Sequence, residues 1–511
     1  MNFGINLKQD RGIILVAAYL VVVVVVVLVA ALVLRSLNEA KLTERQQHLQ
    51  EALYIAEAGI QQTIYDLRAD YANTAGWLDG AINGIVIPVN GDASNFYTLP
   101  YSSGQKTVGQ GSFSVELKNV TGKPTEIWVR STGTSGSYSR RVQSYLAVKN
   151  LNTWNNVIFG GTGQGGNAIG GNVNIRGSVH ILGTSLTSSD YAMDLSGGAN
   201  LGNNYTGMPA NILSRIPAIP IVNFNGEDVQ SLSAEVRFKN GKLGLSGSST
   251  AGRTDVTGNA VKETMDGMHI TNGYGGTAGV SNVYSDNGTG SGYDAGNTVR
   301  FPIFSDPYVD QRDGSSYPNY NTFVTTKGLN ATASFSSIDP GSTASFGPIS
   351  DGNGNLIQWD KPTQTLTVQG VVYRSGSIDF GDKHTDMYFK GRGTIIALGA
   401  SSDVNIHGNF LTQSGRIFPT QDVIGLVAED SVGITTGGGE SHSSAMGAFY
   451  GQNDIAGGKQ SDLAGTFNSN HFTMTNVPSI YQVPSLIDNL PPGLIGDRSV
   501  FIIVVKSWQE M

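Results

Sequence analysis

The sequence predicts an α+β protein: one long N-terminal helix, then a small antiparallel sheet, then a large β-solenoid-like body, a right-handed β-helix. Three observations predict this class. Residues Ile13–Leu34 form an uninterrupted apolar run of 22 residues that continues into a polar stretch with a helical period. Apolar and polar residues alternate in short segments of residues 72–150. Beyond residue 150, short strand-like segments repeatedly end in Gly or Asn.

The apolar run is long enough to cross a membrane, since a bilayer core needs about 20 apolar residues in a helix. A cleaved secretory signal would carry an apolar region of about 7–15 residues that ends in small residues. Val33-Leu34-Arg35 does not fit such an end. We therefore predict a transmembrane helix. Basic residues flank the run on both sides, so charge alone does not orient it.

The helical period continues for nearly forty residues beyond the run. Only Gly59 interrupts the stretch between Gly12 and Gly76, and the first proline is Pro88. The apolar positions, mostly three or four residues apart, are Leu42, Leu49, Leu53, Ala56, Ile60, Ile64, Leu67 and Tyr71. We predict one helix over residues 13–71, roughly 85–90 Å long. Its apolar stripe must pack on something, and it could cover the apolar face of the sheet predicted to follow it.

Two motifs on this helix resemble those of type IV pilins. Arg11-Gly12-Ile13 resembles a prepilin peptidase site, with Gly12 as the last leader residue and Ile13 as the first mature residue. A second set resembles the L-Y-x-A-E-A-G element of PilX-type minor pilins: Leu53, Tyr54, Ala56, Glu57, Ala58 and Gly59. The resemblance implies a leader over residues 1–12, a transmembrane and stalk helix over 13–71, and a pilin-like sheet over 72–150.

The sequence departs from the major-pilin pattern at Ala17. Major pilins carry a Glu five residues after the cleavage point, where it neutralises the N-terminal amine of a neighbouring subunit in the apolar filament core. Ala17 has no charge to do this. The resemblance then implies a low-copy subunit, at the filament tip, where no earlier neighbour has to be paired. A divergent pilin that neutralises the amine in another way is the alternative.

The predicted sheet has three or four strands, and Phe113, Val115 and Leu117 would share one face of a strand. The body, residues 151–511, repeats a short strand pattern. Its members are Asn172–Gly177, Ser377–Gly381, Asp403–Gly408 and Ser431–Thr435, the last three spaced about 26–28 residues apart. This rhythm favours a β-solenoid, in which each coil buries its apolar face against its neighbours. A β-sandwich is the alternative.

Residues 205–360 interrupt this rhythm, and we interpret them as an inserted loop and hairpin region. Val236–Leu243 has the pattern of a hairpin around an Asn240-Gly241 turn. Ser281–Tyr320 is rich in Gly, Ser, Asn, Asp and Tyr and is predicted to be a long loop, with a disordered insertion as the alternative. The apolar residues Val500–Val505 would form a closing strand of the body.

The composition excludes several classes of function. The 511 residues include 67 Gly, 14% charged residues and no Cys, and the net charge is −8. A nucleic-acid-binding protein would show a basic stripe, so we expect no nucleic-acid partner. Disulfides and thiolate metal sites are excluded. A turn-dense surface built from Gly, Ser, Thr and Asn is typical of a β-rich extracytoplasmic protein.

Three patterns resemble cofactor sites, and we predict no cofactor from any of them. Gly161–Gly166 matches G-x-G-x-x-G, but a strand pattern follows it where a phosphate-binding helix should begin, so a turn is expected. The histidines lack metal-ligand spacing. Two acidic loops could form a loose Ca²⁺ site, although solvated turns are the expectation. They contain Asp306, Asp310 and Asp313, and Asp351–Asn355.

Several carboxylates lie on or beside the predicted strands of the body, namely Asp379, Asp382, Asp403, Glu429 and Asp430. A β-helix glycoside hydrolase or lyase needs two or three such groups converging on one face. Their spacing does not indicate convergence. We therefore predict that the protein is not an enzyme. The alternative is a membrane-tethered, carbohydrate-active β-solenoid enzyme.

Together these inferences predict a minor pilin-like subunit of a type IV pilus or a related filament, such as that of type II secretion. The body would serve adhesion or pilus assembly. The expected partners are the membrane, a prepilin peptidase, other pilins, inner-membrane pilus assembly proteins and a surface or carbohydrate ligand. The expected location is the inner membrane, in a single pass with an extracytoplasmic body, and then the pilus or cell surface.

Overall fold

A computed structural model describes residues 10–74, 81–82, 85–86, 94–101, 104–120, 123–165, 168–434, 442–458, 460–474, 478–497 and 501–511. The chain divides into two compact units. We call Met1–Lys149 together with Phe501–Met511 the sheet unit, and Asn150–Val500 the stacked unit. The stacked unit is therefore an insertion into the chain of the sheet unit.

The sheet unit consists of one long helix and an antiparallel sheet. Its elements, numbered along the whole chain, are α1 Asp10–Thr74, β1 Ala81–Ile82, β2 Ile85–Val86, β3 Tyr97–Thr98, β4 Lys106–Val108, β5 Gly111–Val120, β6 Lys123–Ser135, β7 Tyr138–Asn150 and β36 Phe501–Glu510. The sheet order is β3-β5-β6-β7-β36, with β4 also paired to β5. Buried and partly exposed residues alternate along β5, as expected for a sheet covered on one face.

The C-terminal strand corrects the sequence prediction for Val500–Val505. The strand β36 does not close the body, because it pairs with β7 at the edge of the sheet unit. Ion pairs tie it there: Lys506 Nζ lies 2.8 Å from Glu126 of β6, and Arg140 of β7 lies 2.9 Å from Glu510. Six apolar residues predict a strand but carry no information about which sheet it joins, so the predicted body boundary at residue 511 was wrong.

The stacked unit contains many short strands and little helix. The helices are α2 Ala210–Leu213 and α3 Tyr320–Lys327, with 3-10 turns at Gly279–Asn282 and Pro484–Asn489. The strands are β8 Ile158–Gln164, β9 Asn174–Arg176, β10 Val179–Ile181, β11 Tyr191–Leu195, β12 Asn200–Gly202, β13 Ile221–Phe224, β14 Glu227–Gln230, β15 Glu235–Phe238, β16 Lys242–Leu245, β17 Thr250–Ala251, β18 Gly267–Ile270, β19 Tyr274–Gly275, β20 Tyr308–Val309, β21 Ser316–Tyr317, β22 Leu329–Asn330, β23 Ser337–Ile338, β24 Phe346–Ser350, β25 Leu356–Asp360, β26 Thr365–Ser375, β27 Ile378–Phe380, β28 Asp386–Leu398, β29 Val404–Ile406, β30 Asn409–Thr412, β31 Val423–Ala428, β32 Ser431–Ile434, β33 His442–Gly457, β34 Gln460–Met474 and β35 Ser479–Tyr481.

Parallel pairing arranges most of these strands in three columns. The first column runs β18-β15-β10-β8-β34-β33-β31-β28-β26-β22. The second runs β17-β12-β9-β35-β34-β33-β30-β28-β26. The third runs β23-β27-β29-β32-β33-β34-β8. Their apolar residues form one continuous core, with Ile175, Val179 and Ile181 fully buried.

The order of strands in the columns reveals the path of the chain. The chain enters the first column at β8, in its middle, and proceeds outward to β18. It continues from β22 at the opposite end and returns to β34, which pairs with β8. The start and end of the unit therefore meet: Asn152 Nδ2 donates to Asp497 O at 3.1 Å, and Trp154 Nε1 donates to Ile495 O at 2.8 Å.

Three of the repeated segments pair directly with one another. Ile378 lies opposite Val404, and Val404 lies opposite Val432. Such parallel pairing is not that of an antiparallel sandwich. The pairings close a ring of four strands, β28, β30, β33 and β31. The β-solenoid and its handedness remain predictions.

The prediction that residues 205–360 are an insertion that interrupts the repeated strands was wrong. The strands β15, β17 and β18 lie in this region, and they extend the first and second columns. The predicted hairpin is also wrong, because β15 and β16 pair with β10 and β11 rather than with each other. Gly241 has a positive φ of 78°, whereas Asn240 does not, so the type I′ hairpin turn does not form. These two residues connect β15 of the first column to β16, which lies in a separate sheet of order β11-β16-β19.

Candidate functional site

The helix α1 has two parts that differ in exposure. Every residue from Gly12 to Gln47 is exposed, including Ile13 at 69% and Leu34 at 63%. Among the described residues, one helix, Gly12–Arg68, is long and apolar enough to cross a membrane, and its most apolar stretch is not buried at all. Such a surface needs lipid or other apolar helices to cover it.

The residues of the predicted processing site lie near the start of this exposed part. Gly12 and Ile13 both belong to α1, which begins at Asp10. A Cβ atom added to Gly12 would meet no other described atom within 4 Å, so no described residue packs against this position. Ala17 lies one turn further along, also exposed, within the apolar surface. The predicted leader extends into residues 1–9, which lie outside the described part of the chain.

The second part of α1 packs on the sheet. Ala56, Ile60 and Leu67 are buried against a cluster that includes Val115 and Val129 of the sheet. Leu53 and Ile64 are half-buried at its margin. The predicted stripe therefore packs from about residue 48 onward. Leu42, at 58% exposure, belongs to the exposed part, so this residue of the predicted stripe does not pack on the sheet.

The small residues of the predicted family-like motif lie where helix and sheet approach most closely. A Cβ added to Gly59 would collide with Ser131 Oγ and lie 3.0 Å from the Phe113 ring. A Cβ on Gly133 of β6 would collide with the backbone of Ala52 and Ala56. Gly59 is therefore required by the packing, which offsets its low helix propensity. Outside this contact, Tyr54 is 64% exposed, and Glu57 and Ala58 are half-buried.

A polar contact secures the first turn of the packed part. Ser135, at the end of β6, donates from Oγ to Glu51 Oε2 at 2.8 Å, and its Oγ lies 2.9 Å from His48 Nδ1. The His48 ring stacks on Tyr138 with centroids 5.9 Å apart. The Ser135 hydrogen bond is the main reason that the pKa of Glu51 is lowered. Both groups contact the serine hydroxyl, so the arrangement ties α1 to the β6–β7 turn.

The carboxylates predicted as enzyme candidates come together only in part. Burial raises the pKa of Asp403, and the nearby charges of Asp430 and Asp379 raise it further. Asp403 Oδ1 accepts from Ser431 N–H at 3.1 Å, and Asp430 Oδ1 accepts from Asn453 Nδ2 at 2.7 Å. These carboxylates thus accept hydrogen bonds from neighbouring strands. Asp382 accepts from the N–H of Lys383 at 2.7 Å.

Carboxylates in both acidic loops already accept hydrogen bonds or form ion pairs within the protein. Arg312 binds Asp310 through both carboxylate oxygens, and Lys327 lies 3.0 Å from Asp313. Backbone and Lys327 hydrogen bonds lower the pKa of Asp313 to about 2. Asp351 Oδ1 accepts from the N–H groups of Asn353 and Asn355. Within the described ranges, no group of three His, Asp or Glu side chains is arranged to hold a metal ion.

The described start of the glycine motif is a strand rather than the expected turn, and Gly166 lies outside the described residues. Gly161 and Gly163 lie within β8, which pairs with β10 on one side and with β34 on the other. A Cβ on Gly161 would meet Asn470 Oδ1 at 2.5 Å and the Phe301 ring at 3.1 Å. The glycine thus makes room for two side chains from distant parts of the sequence.

Those two side chains belong to a polar pocket that the sequence did not predict. Its volume is about 370 Å³, and its polar lining includes Asn321, Glu429, Gln452, Asn453 and Asn470. Asn321 belongs to α3 and Glu429 directly follows β31. The other three lie where the strand register shifts, Gln452 and Asn453 in β33 and Asn470 in β34. Because these five residues are up to 150 positions apart, they form no local motif. A local signal is the polar pair Gln452-Asn453, which follows nine consecutive buried residues within β33.

No protein-family model matches the chain, and no curated protein matches it. Among solved structures, the crystal structure of the competence-associated pilin ComZ from Thermus thermophilus is similar, with a TM-score of 0.50 and 20% sequence identity. The match covers 91% of this chain and 97% of that chain. The fold is therefore pilin-like: a long N-terminal helix followed by a strand-rich body with an antiparallel sheet. The similarity does not single out the PilX type.

Proposed function

We propose that this chain is a minor pilin-like subunit of a type IV pilus or a related secretion filament, of the PilX type. A prepilin peptidase cuts between Gly12 and Ile13, α1 anchors the protein in the inner membrane, and the subunit is then assembled into a filament with other pilins by inner-membrane assembly proteins. The observation that carries this proposal is the uninterrupted passage of α1 from an exposed apolar surface to a face packed on an antiparallel sheet.

The exposed part of α1 fits both environments that this proposal requires. A surface that is apolar on all sides is stable in lipid, and it is equally stable among the apolar helices of a filament core. Ala17 adds no charge to that core, which fits a subunit present in few copies at the tip. A shaft subunit repeated many times would need its N-terminal amine neutralised in each copy.

The stacked unit is the part that this subunit displays. We propose that its three columns form a β-solenoid on the extracytoplasmic side, where it serves adhesion. Its first and last residues lie together, so it inserts between β7 and β36 without separating two paired strands. Strands from the outward and the returning parts of the chain path contribute to one core. This shared core makes the unit a rigid support for the residues on its surface.

Filament entry tests this proposal. The chain is expressed in a piliated host, filaments are sheared from the cells, and both fractions are probed with an antibody to the stacked unit. We expect small amounts of the protein in sheared filaments. Gly12→Glu, which alters the cleavage position, should confine it to the membrane, whereas Val256→Ala, at a site 62% exposed on the body, should not. Absence of the wild-type protein from filaments, or normal entry of Gly12→Glu, would contradict the proposal.

A membrane-tethered carbohydrate-active enzyme is the second candidate, favoured by the mutual influence of Asp403, Asp430 and Asp379. Turnover of polysaccharides by the purified full chain would support it, provided that Asp403→Asn and Asp430→Asn abolish the turnover. We propose instead a non-catalytic body, because these carboxylates accept hydrogen bonds from the strands beside them.

A further inference from the structure

We propose that the polar pocket of the stacked unit binds a neutral saccharide. This inference names the ligand class for the proposed adhesive body and depends on that function only for its biological setting. The pocket of about 370 Å³ lies where β33, β34 and the residue after β31 meet the segment that contains Phe301 and Phe304. Its volume suits one or two sugar rings.

The polar side chains are already held in place by the protein. Gln452 Oε1 accepts from Phe304 N–H at 2.8 Å, and Glu429 Oε2 accepts from Gly399 N–H at 2.6 Å. Asn470 Oδ1 accepts from Thr162 Oγ1 at 3.0 Å. Each of these side chains is thus fixed through at least one polar atom before a ligand arrives. Such preorganisation lowers the entropy cost of binding.

One atom in the pocket lacks a partner. Asn321 Oδ1 is buried and, among the described residues, has no hydrogen-bond donor. Its orientation is set by the amide nitrogen, which lies 3.5 Å from Glu429 Oε1, since turning the amide would place two acceptors together. An unsatisfied buried acceptor is costly, and a ligand hydroxyl that donates to it would remove that cost.

The polar groups of the pocket come from successive levels of the stack. Glu429 directly follows β31, Asn453 lies in β33 and Asn470 lies in β34, and these strands pair in that order. Neighbouring strands lie about 4.8 Å apart. This step is close to the length of one pyranose ring, so consecutive rings would meet equivalent amide or carboxylate groups.

The aromatic and charged residues that line the rest of the pocket also fit a neutral sugar. The Phe301 ring is half-exposed and is held in stacked contact with Phe159 and Tyr450, at 6.3 and 5.8 Å between centroids. An aromatic ring held in this way suits the apolar C–H face of a sugar. No Lys, Arg or His side chain is among the described residues that line the pocket. With Glu429 as its charged group, the pocket disfavours phosphates and acidic sugars.

Calorimetry on the detergent-solubilised full chain tests this inference. The probes are maltose, cellobiose, lactose and N,N′-diacetylchitobiose, with a glucuronate-containing disaccharide and spermidine as charged controls. We expect at least one neutral disaccharide to bind and the acidic one not to bind. Asn321→Ala, which keeps the helix, and Glu429→Gln, which keeps the Gly399 contact, should each weaken binding roughly tenfold.

Thr325→Ala, one turn along the same helix and outside the pocket, is the matched control and should leave binding unchanged. Binding of no neutral sugar, binding of spermidine alone, or binding insensitive to both pocket variants would overturn the inference. If Asn321→Ala fails to fold by circular dichroism, Glu429→Gln decides. The experiment needs no filament, so its failure is distinguishable from failure of the proposed function.

Discussion

The sheet unit and the stacked unit bury their cores in different ways. In the sheet unit, β5, β6 and β7 follow one another in the chain and in the sheet, and one helix covers their apolar face. In the stacked unit, strands pair in parallel with distant partners, and Ile158 lies opposite Phe467. The first unit therefore depends on one helix–sheet contact. The second depends on what we call its seam, where the outward arm of the chain path, β8 to β18, meets the returning arm, β22 to β35.

This difference also decides how well the sequence predicts the strands of each unit. Buried and partly exposed residues alternate along β5, so the sequence shows which of its side chains face the core. The strand β33 contains nine consecutive buried residues, because its neighbours and the surrounding segments cover both faces. Alternation predicts the first kind of strand. It cannot predict the partners of the second kind.

The largest expected effect is at the seam of the stacked unit. Ile480 in β35 is fully buried between β34 and β9, the strands that join the two arms. Ile480→Ala should destabilise this unit by about 4 kcal/mol through lost burial and a cavity. Hydrogen exchange with mass spectrometry should show faster exchange in β9, β34 and β35, and unchanged exchange in β5 and β6.

Ile221→Ala is the control for this change, because Ile221 is 68% exposed on the β13–β14 hairpin. It should leave exchange unchanged in both units. Equal loss of protection in β5 and β6 after Ile480→Ala would mean that the two units do not have separate cores.

The second prediction concerns Asp497, at the end of the stacked unit. Burial raises its pKa to about 7, and Tyr308 donates to its Oδ2 at 3.0 Å. Because the folded state binds this proton more tightly than the unfolded state, the stability of the unit should fall as pH rises from about 4 to about 7 and then level off. Asp497→Asn should raise stability at pH 8 by roughly 3 kcal/mol. A wild-type unit that gains stability over this pH range would contradict the assignment.

The third prediction concerns the contact on which the sheet unit depends. Gly59→Leu would force a side chain into Ser131 and Phe113 and should cost about 2–3 kcal/mol, with faster exchange in β5 and β6. Tyr54→Ala changes an exposed position of the same helix and should cost under about 0.5 kcal/mol. Similar effects for the two variants would show that the close approach is not needed.

Particular residues show how far the sequence could go. The predicted helix over residues 13–71 is part of α1, Asp10–Thr74, and Phe113, Val115 and Leu117 are buried on one face as expected. Local period and apolar pattern were enough for these features. The partner of β36 and the lining of the polar pocket could not be predicted, because both depend on contacts between residues far apart in the chain.

The smallest effect should come from Ser135→Ala, which removes the hydrogen bond to Glu51 and slightly lowers the thermal stability near neutral pH. Because the pKa of Glu51 is lowered in the folded state, this contribution is present above its usual value of 4.5 and is lost as pH falls through the folded pKa. Thermal unfolding curves of variant and wild type should therefore converge in acid. Ser139→Ala, at an exposed position of β7 in the same hairpin, should match the wild type at every pH.

The most direct test of the central proposal is the N-terminus of the protein in cells with an active prepilin peptidase. Mass spectrometry of native material should find Ile13 as the first residue, with residues 1–12 removed. Protein that still carries Met1 to Arg11 in such cells would contradict the proposal that this helix is processed and delivered to a filament.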